Sequence, residues 1–433
     1  MQIPLQSPRE SAAAPSRRDE KIIYGTHFTV FCFWTFVLLC RPQDIFPAIA
    51  PLRPALLTGI FTMLLVLLRS GGSPAVPLFG EKQMRLYAAL LLVMIMGIPF
   101  SLYAGRSFEV IFTAYINVVL FVLIFFKVVD RVEKLSAVLL VGCLGNGLYS
   151  LYSVVSGEIV SGRLYFADMF DPNDLAFFAL SFLPFNLLFI TRGNSMPVRM
   201  ACALSFGAGT LLVLMSSSRG GLLAFGMAAF LLLFTKTRVV RPSMKVMFVI
   251  LCLAFVAFAP LNLERYTTFF EIKEDYNVWD ETGRLNIWKI GLNEMLRDPL
   301  TGVGVENFSM AVGLDRQKRN LESQPWQAAH NMVVQIGTET GVIGMGLFLL
   351  MSLNVVRIFR KTKRRACPEK LTRIGEMGMV GFTGLFVSGM FLSQAYSVYW
   401  AFYVAVSAVM SRLAADAQRT TDAAAREIGR KAR

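Results

Sequence analysis

Histidine is almost absent from this chain: His27 and His330 are the two among 433 residues. Charged residues are also scarce, at 17%. Three motifs of metal and nucleotide chemistry are missing: the G-x-x-x-x-G-K-[ST] phosphate loop, the H-E-x-x-H pair and the paired aspartates that hold a divalent ion. A transfer reaction on this chain therefore has to work by positioning, charge stabilisation and base catalysis, and neither a metal nor another cofactor is expected. Cysteine is sparse too. Cys32, Cys40, Cys143, Cys202 and Cys252 fall in apolar runs and Cys367 in a basic segment, so none lies in the long polar stretch at 261–329. That placement argues against a disulfide framework or a cysteine metal site there.

What fills the chain is apolar. Hydrophobic residues make up 55% and the mean hydropathy is +0.54, more than soluble domains can cover with polar surface, so the bilayer is the natural solvent. Apolar runs long enough to cross about 30 Å of hydrocarbon predict about 12 spans. They centre near Phe31, Ile60, Val93, Val119, Val141, Leu180, Gly207, Met227, Leu251, Leu349, Thr383 and Val404. The weakest are the second, between Arg53 and Arg69, and the ninth, between Lys245 and Pro260.

Charge orients these spans. With the N-terminus inside, most of the 43 Lys and Arg fall on inner segments and most of the 29 Asp and Glu on outer ones, as the positive-inside trend requires. The formal +14 is thus a topology signal and not a nucleic-acid footprint. The expected organisation is a cytoplasmic tail at 1–21, transmembrane helices 1–9 over 22–260 and a large outer loop at 261–330. A short outer helix and helices 10–12 then occupy 331–411, and a cytoplasmic tail 412–433. The first 21 residues are polar and no small-residue cleavage site follows a short apolar stretch, so the first helix is expected to be a retained anchor.

The long outer loop must carry structure of its own. It opens on LERYTTFFEIKEDYNVW, and an amphipathic helix follows from about Thr282 to Arg297, with Leu285, Trp288, Leu292 and Met295 spaced for one apolar stripe. Asp298-Pro299, Gly302 and Gly304 stop it. Such a helix lies either on the outer leaflet or on the other helices. In HNMVVQIGTETGVIGMGLF, Gly341 suits a helix break, which leaves residues 330–340 as a short outer helix headed by His330.

Several of these residues have chemistry to offer. His27 reads as a polar residue tolerated near an interface. His330 reads either as a plain helix-start residue or as a base, since the helix dipole behind it favours the neutral ring. Arg41, Arg53, Arg106, Arg163 and Arg219 stand at outer ends of spans, where charge bias gives no reason for them, and Arg284 joins them from the loop. Guanidinium forks suit phosphate oxygens; snorkelling to lipid headgroups is the other reading, favoured for Arg41, Arg53 and Arg106. Arg219 lies in the tight turn SSSRGG, and Arg284 and Trp288 are one helical turn apart, within reach of a cation–π contact. Asp171-Pro172-Asn173-Asp174 reads as a turn and N-cap of the sixth span. Glu339 either orients the base or is solvated at the helix end.

Taken together these stretches resemble the O-antigen ligase and O-antigen polymerase superfamily from about Ser216 to Gly346. The resemblance rests on SSSRGG around Arg219, TGRLNIW with Arg284 spaced R-x3-W, DPLTGVGVENF, and HNMVVQIGTETG with His330 and Gly341 spaced H-x10-G. GRLYFADMFDPNDLA upstream is similar to the family's arginine followed by a DPN-type turn. Trp288 departs from the Leu that ligases often carry there. The resemblance implies an all-α, GT-C-like, polytopic glycosyltransferase of the bacterial inner membrane that is metal-independent and inverting. Its donor would be a glycan on undecaprenyl pyrophosphate and its acceptor a lipid A-core sugar hydroxyl at the periplasmic leaflet. It further implies His330 as the base and Arg219 and Arg284, helped by Arg163, on the donor pyrophosphate, with Glu339, Gly341 and Trp288 in support. An O-antigen or exopolysaccharide polymerase and an O-linking oligosaccharyltransferase share this donor; the single large outer loop favours the ligase. A polysaccharide-lipid transporter fits less well, since transporters place ionisable residues near the midplane and these spans hold mainly Asn117, Asn146 and Asn186.

Overall fold

The computed structural model describes residues 25–68, 77–167, 171–191, 193–246, 249–250, 282–321, 325–364 and 367–431. The tail at 1–21, the ninth span around Leu251 and the LERYTTFFEIKEDYNVW stretch lie outside the described residues. In hydrocarbon every backbone amide needs an internal partner, which leaves helices as the way across for this chain. In chain order they are α1 (Thr26–Cys40), α2 (Pro54–Leu68), α3 (Lys82–Gly97), α4 (Ala104–Val128), α5 (Val132–Ser156), α6 (Pro172–Phe189), α7 (Met196–Met215) and α8 (Arg219–Phe234). Then follow α9 (Arg284–Arg297), α10 (Phe308–Lys318), α11 (Met332–Arg364), α12 (Glu369–Gly389) and α13 (Val398–Lys431). Among the described residues 8 helices are long and apolar enough to cross a membrane, and α1 and α8 are shorter apolar helices. The chain is an all-α polytopic membrane protein, and every predicted span centre except Leu251 falls inside a helix.

Lipid exposure and burial divide these helices. On α2, Leu57, Ile60, Phe61, Leu64, Leu67 and Leu68 face outward and Thr62 and Val66 alone are buried, as expected where the solvent is lipid. On α6 nearly every side chain is buried. Its phenylalanines meet α13: Phe182 lies 4.9 Å from Phe402, Phe178 5.5 Å from Tyr399 and Phe185 5.6 Å from Tyr403 between ring centroids. Lipid tails are as apolar as these rings, so close packing and interhelical hydrogen bonds hold the helices together. Asn146 of α5 donates to the Phe178 carbonyl of α6 at 2.8 Å, and Ser205 of α7 to the Cys143 carbonyl of α5 at 2.8 Å. Arg412 of α13 caps the end of α4 through the carbonyls of Phe126 and Val129 at 2.8 and 2.6 Å, and α13 continues as helix past it to Lys431.

The sequence reading placed neither of two further elements, although short helices were expected in the large loop. Between α5 and α6, β1 (Glu158–Val160) pairs antiparallel with β2 (Arg163–Tyr165), with Val160 opposite Arg163. Ser161 and Gly162, with φ of 50° and 71°, make the two-residue turn whose twist suits a hairpin. The other is α10, which packs Phe308 and Val312 against Ile287 and Ile290 of α9.

The α9 helix forms where predicted, but with a different buried face. Ile287, Ile290, Gly291 and Met295 are buried, whereas Leu292 is exposed. Gly291 decides this, because a Cβ there would stand 2.7 Å from both Phe308 and Thr338, so this face alone permits close approach. Leu292, Leu296 and Leu300 are left as an outward apolar edge.

The α11 helix breaks at Gly341, whose φ of 69° and ψ of −173° are open to glycine alone. The break leaves backbone groups to be satisfied, and the DPLTGVG stretch satisfies them. Val303 and Gly304 donate to the carbonyls of Thr338 and Glu339 at 2.9 and 3.0 Å, and Val342 donates to the Pro299 carbonyl at 2.8 Å.

Candidate functional site

His330 stands one residue before the cap of α11, where the Asn331 side chain accepts from the N–H groups of Val333 and Val334 at 2.9 and 3.1 Å. Its backbone is left-handed, φ 47°, and its N–H donates to Ser393 Oγ at 2.9 Å. Burial pushes the imidazole below its usual pKa range, the Arg284 charge pushes it further, and Asp171 pulls the other way. The ring is therefore neutral near pH 7, as a base needs. The main causes are burial and a guanidinium, where the sequence pointed to the helix dipole.

Arg219 and Arg284 are the first residues of α8 and α9, so each guanidinium is added to the positive end of a helix dipole. Phe391, in the segment between α12 and α13, joins the two helix starts. The Arg284 guanidinium carbon lies 6.0 Å from its ring centroid, and a Cβ on Gly220 would stand 2.8 Å from it. Gly221 comes as close to α6, 2.5 Å from Ala176 on the same test. The Ser218 side chain caps α8, accepting from Gly221 at 3.0 Å.

Arg163, on β2, ties this turn to the start of α6. It donates to Asn173 Oδ1 at 3.0 Å and to the Ser216 carbonyl at 3.4 Å, while Ser217 donates to the Gly162 carbonyl at 2.8 Å. Asp171 caps α6 through the N–H groups of Asn173 and Asp174 at 2.7 and 2.8 Å, as the sequence predicts. Its charge also reaches His330.

Trp288 donates its indole N–H to the Ala329 carbonyl at 2.9 Å, which fixes the residue before His330. The ring beneath Arg284 is Phe391. Glu339 is not solvated: it is 2% exposed, accepting from the Tyr396 hydroxyl at 2.6 Å and the Phe308 N–H at 3.3 Å. Burial, then the Glu339 charge, holds Tyr396 above the ordinary phenol range. Arg41 is bound to Asp44 at 2.5 Å and Arg106 to Glu109 at 3.3 Å.

The segment 390–397 is what sequence reasoning missed. Phe391 faces Arg284, Ser393 holds His330, Gln394 donates to Asp174 at 2.8 Å, Ala395 donates to Gln335 at 3.2 Å and Tyr396 holds Glu339. Its one sequence signal is the polar run Ser393, Gln394 and Ser397 between two apolar spans. Beside it opens a cavity of about 580 Å³ whose wall includes Trp34, Arg41, Arg53, Gln335, Ser393 and Gln394. Among the described residues no group of three or more His, Cys, Asp or Glu side chains is placed to hold a metal ion.

No curated protein matches the chain. The family described as O-antigen ligase matches residues 202–349. That stretch runs from α7 into α11 and contains Arg219, Arg284, Trp288, His330, Glu339 and Gly341, with Arg163 upstream of it. Residues 202–349 thus match the O-antigen ligase family, in agreement with the resemblance to the O-antigen ligase and polymerase superfamily read from the motifs between Ser216 and Gly346.

Proposed function

We propose that the protein is an O-antigen ligase: an inverting, metal-independent glycosyltransferase that moves a glycan from undecaprenyl pyrophosphate to a sugar hydroxyl of lipid A-core. The observation that carries this reading is a half-buried, neutral His330 within the electrostatic reach of Arg284, whose helix start meets that of Arg219 at Phe391. A base beside two guanidinium groups is what displacement of a pyrophosphate by a hydroxyl requires. The acceptor oxygen attacks the anomeric carbon and gives its proton to His330. The carbon–oxygen bond to the pyrophosphate breaks on the opposite face, and Arg219 and Arg284 take the charge of the departing undecaprenyl pyrophosphate. Arg163 holds the turn that carries Arg219, Trp288 and Gly341 set the loop and helix around His330, and Glu339 anchors Tyr396.

The setting is the bacterial inner membrane. About 12 spans in a GT-C-like arrangement put both termini in the cytoplasm and the site on the periplasmic side, with 261–330 as the large loop. Reconstitution with polyprenyl-pyrophosphate glycan and lipid A-core tests this. His330→Ala is expected to lower transfer by about 100-fold or more, and undiminished transfer removes His330 from the mechanism. Offering a second lipid-linked glycan or a protein hydroxyl as acceptor instead separates the ligase from the polymerase and the oligosaccharyltransferase.

A further inference from the structure

We infer that the cavity between α1, α2, α4 and residues 393–399 is the binding site of the acceptor, an amphipathic glycolipid carrying an anionic group. The inference rests on the glycosyltransferase reading above and assigns its second substrate a place.

The wall is amphipathic. Leu38, Leu56 and Val118 supply an apolar side and Arg41, Arg53 and Gln43 a polar one, a combination suited to a ligand with acyl chains and a sugar headgroup. Two wall atoms are buried and, among the described residues, lack a hydrogen-bond partner: the indole Nε1 of Trp34 and the amide Oε1 of Gln43. Trp34 is 2% exposed. Buried polar groups are normally paired, so this donor and this acceptor call for a ligand that offers both functions. A sugar hydroxyl does, accepting from an N–H and donating to a carbonyl.

The charges agree. Arg41 is already engaged with Asp44 at 2.5 Å. Arg53 is the exposed N-terminal neighbour of α2, and among the described residues no carboxylate lies within ion-pair distance of it. It is the cation to take a phosphate at the mouth.

The position agrees as well. Ser393, which holds the His330 N–H, and Gln394, which holds Asp174, both line the cavity. Phe391, two residues earlier in the same segment, belongs instead to the corner of Arg219 and Arg284. The segment thus stands between the corner assigned to the donor pyrophosphate and the cavity. An inverting displacement needs attacking and leaving oxygens on opposite faces of one carbon, which a base flanked by two separate sites provides.

Two variants and one direct measurement in proteoliposomes test the inference. In Arg53→Ala the KM for the acceptor glycolipid is expected to rise about tenfold, and in Trp34→Phe, which keeps an aromatic side chain and removes the N–H, a few-fold. The KM for the donor should stay unchanged in both, and Arg53→Lys should recover most of the acceptor affinity, which a misfolded chain would not do. A photoreactive acceptor glycolipid should label peptides around 34–56 and 393–399 whether or not transfer occurs, so failure of the glycosyltransferase reading leaves this arm decisive. A rise in donor KM, or labelling of these peptides by a photoreactive polyprenyl pyrophosphate in place of the acceptor, assigns the cavity to the donor and overturns the inference. Unchanged acceptor KM in both variants does the same.

Discussion

His330 was legible because histidine is so rare here and because it ends the one long loop. What keeps its ring neutral was not legible, since Arg284 and Asp171 are remote in sequence and meet it only in the folded chain. The sign of the pH dependence follows from these neighbours. A base works deprotonated, so the transfer rate should rise with pH and level off above an acid limb. Because burial and Arg284 lower the His330 pKa, the midpoint of that limb should lie below about 6.5, the ordinary imidazole value. Asp171→Asn keeps a good capping side chain and removes the charge that raises the His330 pKa, so it should move the midpoint lower still. Arg284→Gln should move it up while weakening the donor. The pH profile of kcat/KM reads both shifts, and a midpoint indifferent to Asp171→Asn would detach this carboxylate from the base.

At the scale of elements, the break in α11 shows how much a local signal can carry. Gly341 was readable as a break because two helical stretches meet there, and its backbone angles bear that out. The partner that satisfies the broken ends, Pro299 to Gly304, became visible only with the chain folded. Gly341→Ala should cost about 1–3 kcal/mol for the backbone conformation alone, and more because the added Cβ meets the Pro299 carbonyl. A lowered melting temperature with a matching loss of transfer would register it; an unchanged one would mean that the break relaxes. Tyr396→Phe removes the hydrogen bond that holds Glu339 Oε2 and should destabilise the protein by about 1–3 kcal/mol, again read by thermal unfolding. For α9 the period was right and the buried face is turned: of the predicted stripe Met295 is buried, Leu285 and Trp288 are half-buried and Leu292 is exposed. Two stripes of similar spacing run along it, and only the approach of Phe308 to Gly291 selects the buried one.

For the whole molecule, hydropathy and charge make a statement about sides. In a cysteine-free background, Ser161→Cys in the hairpin turn should react with a membrane-impermeant maleimide from the outside. Ala425→Cys, near the end of α13, should react only after permeabilisation. Labelling of both from one side would break the proposed topology and with it the periplasmic placement of the site.

The sequence by itself determined the membrane class, the places of the apolar helices among the described residues and the residues worth suspecting, because lipid imposes long apolar runs and glycine and proline punctuate them locally. Only the tertiary structure decided which faces meet. It gathered Arg219, Arg284, Asp171 and His330 around residues 390–397 and opened a cavity beside them. The physical reason is that these encounters depend on close approach at small residues and on polar pairs from distant parts of the chain, and no hydropathy period records either.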